Sequence, residues 1–262
     1  MSNPPFHSVV YGPIKTRRLG IALGINPVPT PTGSCLPDCI FCKTGQADAV
    51  PIVTRVNSAP SAGVIVTAAA RRIIAMSKAP EKLDCIVISG NLDPTRHHQL
   101  LTITENLRDL RNKWFPKADL AILTDGSNLE PADHRRALQI YDMPILRFEW
   151  GTVKTFTAMT GRKSDDLKTL ATHLTGMDRL ILSSTFVQGG PDNSVDAEVK
   201  MWIKRVEELR PKEVQIQTID NPKGRASKPR AVSVARLEEI AAQLTEKTGI
   251  ATTVLAEEPL TV

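Results

Sequence analysis

Leu83 to Ser89 reads Leu-Asp-Cys-Ile-Val-Ile-Ser, and it is one of six short apolar runs spaced along the chain. An apolar run of about four to eight residues suits a strand covered on both faces, the usual position of a strand in a parallel sheet. Between the runs lie segments with helical period. Ala62 to Met76 (AGVIVTAAARRIIAM) sets apolar residues three and four apart among strong helix formers. Strands are expected at 19–25, 83–89, 119–123, 144–149, 179–187 and 213–218. Helices are expected at 62–76, 96–114, 131–140, 164–174, 195–209 and 233–247, with Thr252–Leu255 as a short closing strand. Six strands alternating with six helices call for crossover connections and a parallel sheet, so the expected class is α/β. A length of 262 residues fits a single domain over 1–262, its core at about 15–247 and short extensions at both ends.

Composition excludes several classes. Hydrophobic residues are 41% and charged residues 23%, which rules out a wholly disordered chain. No apolar run approaches the ~18 residues of a membrane span. Met1–Phe6 has neither the basic start nor the apolar stretch of a secretory signal. A net charge of +5 permits an anionic substrate or RNA without requiring either. Aromatic residues are only 4%, and Trp114, Trp150 and Trp202 form no stripe, so an aromatic platform for nucleic-acid bases is not supported. No Ser-His-Asp arrangement, Walker loop or His-Glu-x-x-His motif is present.

The chain has four cysteines, and three of them, Cys35, Cys39 and Cys42, lie within eight residues. Ligands of parallel α/β folds sit at the carboxyl ends of strands. The candidate loops are therefore 26–45, 89–95, 124–129, 149–162, 186–193 and 218–230, and the three cysteines fall in the first. A disulfide framework would spread its cysteines, so this crowding points to a reduced compartment and a metal or redox role. Three thiolates can hold three irons of a [4Fe–4S] cluster and leave the fourth open. A zinc site completed by a distant His or by Cys85 is the competing reading, although zinc sites usually show a second ligand pair.

The segment Cys35-Leu36-Pro37-Asp38-Cys39-Ile40-Phe41-Cys42 resembles the C-x3-C-x-aromatic-C motif of the radical S-adenosylmethionine (SAM) superfamily, with Phe41 at the aromatic position. Tyr11–Asn26 (YGPIKTRRLGIALGIN), Leu123–Ser127 (LTDGS), Phe156–Arg162 (FTAMTGR) and Arg210–Pro222 (RPKEVQIQTIDNP) are similar, in order, to segments of stand-alone members grouped with wyosine-type tRNA-modifying proteins. The likeness covers roughly residues 10–235. It implies a (β/α)6 partial TIM barrel with the cluster loop after the first strand. It also implies a [4Fe–4S] cluster on Cys35, Cys39 and Cys42, with SAM bound at the open iron. The implied reaction is reductive cleavage of SAM to a 5′-deoxyadenosyl radical that takes hydrogen from a small-molecule or tRNA substrate. A low-potential electron donor such as flavodoxin or ferredoxin, a cytoplasmic location and the lack of a membrane partner follow from the same resemblance. Only Cys85 remains outside the motif, so a single cluster is expected.

The resemblance implies SAM contacts from Phe41, Ser89, Gly90, Asn91, Asp93, Ser127, Glu149 and Gln188. Where the superfamily carries Gly-Gly-Glu, this chain has Ser89-Gly90-Asn91-Leu92-Asp93, and the carboxylate is one methylene shorter. Asp93 also reads as a helix cap before Pro94-Thr95. Glu149 is either a ribose contact or an ion pair with Arg147 or Arg162. Gln215 and Gln217 share one strand face and line either a site or a core. Cys85 is the candidate catalytic side chain, as a hydrogen donor, against its reading as a buried small hydrophobe. His97 and His98 stand at the start of a helix as capping or acid–base groups. Two other functions fit the same residues: an Fe–S or zinc protein without SAM cleavage, and a tRNA-base-modifying enzyme.

Overall fold

The computed structural model describes residues 8–29, 40, 59–90, 92–219 and 229–255. Contacts divide them into two units, one with residues 8–29, 59–90 and 92–146, the other with Ile40, 147–219 and 229–255. Among the described residues no helix is long and apolar enough to cross a membrane.

In the first unit, β1 (Val10–Thr16), β2 (Gly20–Ile25), β3 (Cys85–Ile88), β4 (Asp119–Thr124) and β5 (Met143–Arg147) lie side by side in that order. β1 is antiparallel to β2, and the other pairings are parallel. Helices α1 (Ala62–Ser77), α2 (Leu100–Trp114) and α3 (Ala132–Ile140) make the crossovers. α1 buries Ala62, Ile65, Ala69, Ile73 and Met76, the stripe its period predicts. All four residues of β3 are buried, as a strand covered on both faces requires. The register aligns Ile25, Ile88 and Ile122, so the loops leaving β2, β3 and β4 start from one edge.

Two polar clips fasten this unit. Arg111 donates to the Ala118 carbonyl and pairs with Asp142, both at 2.7 Å, while Asp142 accepts the Leu120 N–H at 2.9 Å. The Gln99 N–H donates to His97 Nδ1 at 3.1 Å, which leaves the proton on Nε2 to donate to the Pro60 carbonyl at 2.8 Å. The buried ring is thus neutral, and desolvation holds its pKa down. His97 ties the approach of α1 to the start of α2. That is a structural assignment, which a sequence reading cannot separate from an acid–base one.

β1 is an addition to the expected elements. Gly12-Pro13 interrupts its alternation, Pro13 has no N–H to donate, and the register shifts between Tyr11 and Ile14. The helix expected from residue 96 also starts later, because Pro94–Arg96 forms a separate 3-10 turn before α2.

In the second unit, β6 (Ile181–Gln188), β7 (Glu213–Thr218) and β9 (Ala251–Val254) are parallel, and β8 (Arg230–Ala231) pairs antiparallel with the end of β6. Its helices are α4 (Val153–Thr160), α5 (Ser164–Leu174), α6 (Asp196–Leu209) and α7 (Val234–Thr248). Aromatic packing carries its core. Trp150 meets Phe156 edge-on at 5.0 Å, Phe186 meets Trp202 at 5.1 Å, and Trp202 Nε1 donates to the Phe148 carbonyl at 3.0 Å. α4 was expected as loop, since Val and Thr are modest helix formers. It is held by a Thr152 cap on the Thr155 N–H at 3.2 Å, by Gly161 at φ +67°, and by the burial of Phe156 and Met159. Each unit is α/β with mostly parallel pairing, consistent with a partial TIM barrel.

Candidate functional site

In the first unit, the loops at the carboxyl edge are shaped by close approaches. The Tyr11 ring lies where any Cβ on Gly24 would sit, and its hydroxyl donates to the Ser89 carbonyl at 3.3 Å. Burial pushes the Tyr11 phenol pKa up. A Cβ on Gly90 would overlap the Asn26 amide, whose Oδ1 accepts the Val28 N–H at 3.2 Å. Glycine at 90 therefore lets the loops after β2 and β3 meet. Leu92 is fully buried in the core.

Asp93 is only 6% exposed. Its Oδ1 accepts the Thr95 N–H at 2.8 Å, the Thr95 hydroxyl, and the Thr124 hydroxyl at 2.9 Å. Its Oδ2 accepts the Thr124 hydroxyl at 2.8 Å and the Asp125 N–H at 2.6 Å. A carboxylate offers about four lone-pair sites, and these donors fill them. Asp93 thus caps the Pro94–Arg96 turn and bridges it to the loop after β4. None of these partners is cationic. Burial, and then the neighbouring Asp125 carboxylate, push the Asp93 pKa up to about 7 against the pull of the hydrogen bonds.

Asp125 is 9% exposed, and its Oδ1 accepts the Ser127 N–H at 2.7 Å across Gly126, which stands at φ +65°. Its other oxygen has no hydrogen-bond partner among the described residues. The Ser127 hydroxyl oxygen is buried and likewise has no partner. Asn128 Nδ2 donates to the Thr95 carbonyl at 2.8 Å and completes the link between the two loops. Cys85 lies inside β3, 1% exposed, and burial pushes its thiol up to about 12. It packs there as a neutral small side chain.

In the second unit Glu149 is fully buried and ion-paired with Arg147. Arg162 instead stacks over the Phe156 ring at 5.2 Å, approaches Asp166 at 3.6 Å, and keeps a buried Nη1 without a hydrogen-bond partner. Asn193, 1% exposed, straps the site. It donates to the Glu149 and Thr185 carbonyls at 2.9 and 3.0 Å, and accepts the Val187 N–H at 2.8 Å. Gln188 pairs with Arg230 of β8. On the face of β6 and β7 opposite Phe186, Gln217 donates to Thr185 at 3.1 Å, and Gln215 donates to Glu213 at 3.1 Å while its Oε1 is buried without a partner. Ile40 donates its N–H to the Met159 carbonyl at 3.1 Å, which anchors one residue of the cysteine segment at the end of α4.

Cys35, Cys39, Phe41, Cys42 and Asn91 lie outside the described residues. Among the described residues, no group of three or more His, Cys, Asp or Glu side chains could hold a metal ion. The structure brings Asp93, Asp125 and Ser127 together through the hydrogen-bonded loops. Tyr11, Asp125 and Asn193 were not singled out by the sequence reading. The Asp125-Gly126-Ser127 pattern carried a signal for an Asx turn, whereas the reach of Tyr11 and Asn193 is set only by tertiary contact.

No family model matches the chain. A UPF0026 protein of Helicobacter pylori is 22% identical over 226 residues, 84% of this chain and 68% of that protein. A UPF0026 protein of Synechocystis is 30% identical over 133 residues, 51% of this chain and 45% of that protein. Among solved structures, Streptococcus suis SuiB bound to S-adenosylmethionine superposes with a TM-score of 0.59 at 12% identity over 87% of this chain. The fold resembles that of SuiB. The chain spans about half the length of SuiB, 48% of it.

Proposed function

We propose that the chain is a radical SAM enzyme. The observation that carries this reading is the Cys35-x3-Cys39-x2-Cys42 spacing in the segment following β2, within a fold that resembles a protein solved with SAM bound. The donor set suits the cluster, because three soft thiolates bind iron–sulfur centres and leave one iron open. The buried, unpartnered Ser127 hydroxyl and the unpartnered Asp125 oxygen suit a ligand that brings its own polar groups.

In this reading Cys35, Cys39 and Cys42 hold a [4Fe–4S] cluster. A cluster held there would supply one-electron reduction of bound SAM, with a low-potential donor as the source of the electron. The protein's part is to bind and orient SAM. Phe41, the 89–93 segment with Ser89, Gly90 and Asn91, the Ser127 hydroxyl, Glu149 and Gln188 supply packing and hydrogen bonds. Asp93 organises the turn between the loops that follow β3 and β4. Asn193 fixes the main chain at Glu149, so the carboxylate is presented from a held backbone. The neutral, buried Cys85 thiol keeps a packing role in β3.

The test is anaerobic reconstitution with iron and sulfide, addition of SAM and dithionite, and quantification of 5′-deoxyadenosine beside a Cys42→Ala control. Formation by the wild type alone is expected. A wild type that assembles a cluster but does not bind SAM would leave an Fe–S protein without SAM chemistry. SuiB has also been solved with the precursor peptide SuiA, so peptides join small molecules and tRNA in a substrate screen. A tRNA mobility shift that survives physiological salt would single out RNA.

A further inference from the structure

In the second unit, α5, α6 and the start of α4 enclose a cavity of about 260 Å³. Its floor belongs to the apolar core, because Phe148, Leu167 and Leu209 line it and are themselves buried. The Thr172 and Thr175 hydroxyls also line it, but they turn back on the Lys168 and Ala171 carbonyls at 3.0 and 2.9 Å. Hydroxyls spent on their own helix leave that wall apolar in character. Val153 lines the cavity as well and is 41% exposed, an aliphatic side chain that the fold leaves in water.

Two cations share this lining. Arg205 Nε donates to the Gly151 carbonyl at 2.6 Å, which holds the guanidinium in place. Its other N–H groups have no hydrogen-bond partner among the described residues, and neither Lys168 nor Glu208 has an ion pair there. Lys168, Arg205 and Glu208 together leave one positive charge beside an apolar floor. That combination suits a ligand with a single negative charge on a hydrocarbon chain, and a guanidinium matches a carboxylate. A cavity of about 150 Å³ takes one benzene ring, so 260 Å³ has room for about ten non-hydrogen atoms.

We propose that this cavity binds a medium-chain monocarboxylate, its head on Arg205 and Lys168 and its chain over Phe148, Leu167 and Leu209. The assignment is independent of the SAM reading, since none of these residues is a SAM candidate. The lining nevertheless reaches the main chain on both sides of Glu149, through Phe148 before it and through the Arg205 bond to Gly151 after it.

The experiment is calorimetry on the anaerobically reconstituted full-length protein. The probes are hexanoate, octanoate and dodecanoate, each kept below micelle formation, with octanol and octyl phosphate for comparison. Affinity is expected to rise about fourfold per methylene from hexanoate to octanoate, then to stop rising by dodecanoate as the cavity fills. Octanol should bind about fivefold more weakly than octanoate, the scale of a partly exposed ion pair. Octyl phosphate, doubly charged at pH 8 and facing Glu208, should also bind more weakly than octanoate. Ala171→Phe places a ring in the cavity and should cost octanoate tenfold or more at an unchanged melting temperature. Lys168→Glu, at an exposed position, should cost octanoate about fivefold and leave octanol as it was, so it carries the test even if the phenylalanine variant does not fold.

Equal binding of octanoate and octanol overturns the proposal, as does a folded wild type that binds neither. Octyl phosphate binding more tightly than octanoate overturns the choice of a monocarboxylate. Affinity that keeps growing through dodecanoate, or that survives both Ala171→Phe and Lys168→Glu, marks adsorption to exposed apolar surface and overturns the site. Each of these results leaves SAM cleavage, read as 5′-deoxyadenosine, untouched.

Discussion

Two buried carboxylates solve the same physical problem in opposite ways. Glu149, in the second unit, is fully buried and has the Arg147 guanidinium against it. Asp93, in the first, is nearly as buried but is held by main-chain N–H groups and threonine hydroxyls, with another carboxylate beside it. Ion pairing compensates a buried charge locally, whereas neutral donors stabilise it without removing it. The first arrangement sets a cation against the carboxylate, and the second sets only neutral donors and another carboxylate there. The contrast separates a buried carboxylate balanced by a charge from one balanced by dipoles.

The largest test of the contrast is Arg147→Met, which removes the guanidinium from the buried Glu149 carboxylate. It should cost about 3 kcal/mol in urea unfolding, toward the lower end for a broken buried pair because Arg147 is partly exposed. The double variant Arg147→Met/Glu149→Leu should recover much of that loss. If the single variant unfolds at the wild-type midpoint, Glu149 is not compensated by Arg147 and the contrast fails.

Asp93→Asn comes next, at about 2 kcal/mol, because an amide nitrogen cannot accept the Asp125 or Thr95 N–H. Its pH dependence has a definite sign. The folded-state pKa lies above the ordinary carboxylate value of 3.8, so between about pH 4 and 7 the native state keeps a proton that the unfolded chain has released. The stability contribution of Asp93 is complete below that window and declines as pH rises through it. The gap between wild type and Asp93→Asn should therefore narrow from pH 4 to pH 7 in urea midpoints. A gap that widens would mean that the hydrogen bonds outweigh burial and hold the carboxylate ionised.

Ser127→Ala should have the smallest effect on stability, within about 0.5 kcal/mol, since the hydroxyl it removes has no partner to lose. A clear loss of stability would show that the oxygen is satisfied within the protein.

The parts of this picture legible in the sequence were those encoded locally. The all-buried run Cys85–Ile88 and the stripe on α1 follow from period alone, and the cysteine spacing stands in one segment. Elements held by context were not legible. Gly12-Pro13 hid β1, whose pairing depends on β2 across a bulge. The Thr and Val content of α4 hid a helix held by its cap and by Phe156 against Trp150. At the site, the sequence placed an acid at 93 but could not show that Thr124, 31 residues later, occupies it. Nor could it show that Asp125 is left with an open oxygen. Residue type is local information, and the filling of lone pairs is tertiary.

The hydrogen bond from Ile40 to Met159 sets an order of events in biosynthesis. Its acceptor leaves the ribosome about 120 residues after its donor, on the order of 10 s at ordinary elongation rates. Until then the Ile40 N–H lacks this acceptor. The link from Ile40 to the end of α4 is therefore closed only after α4 has been synthesised.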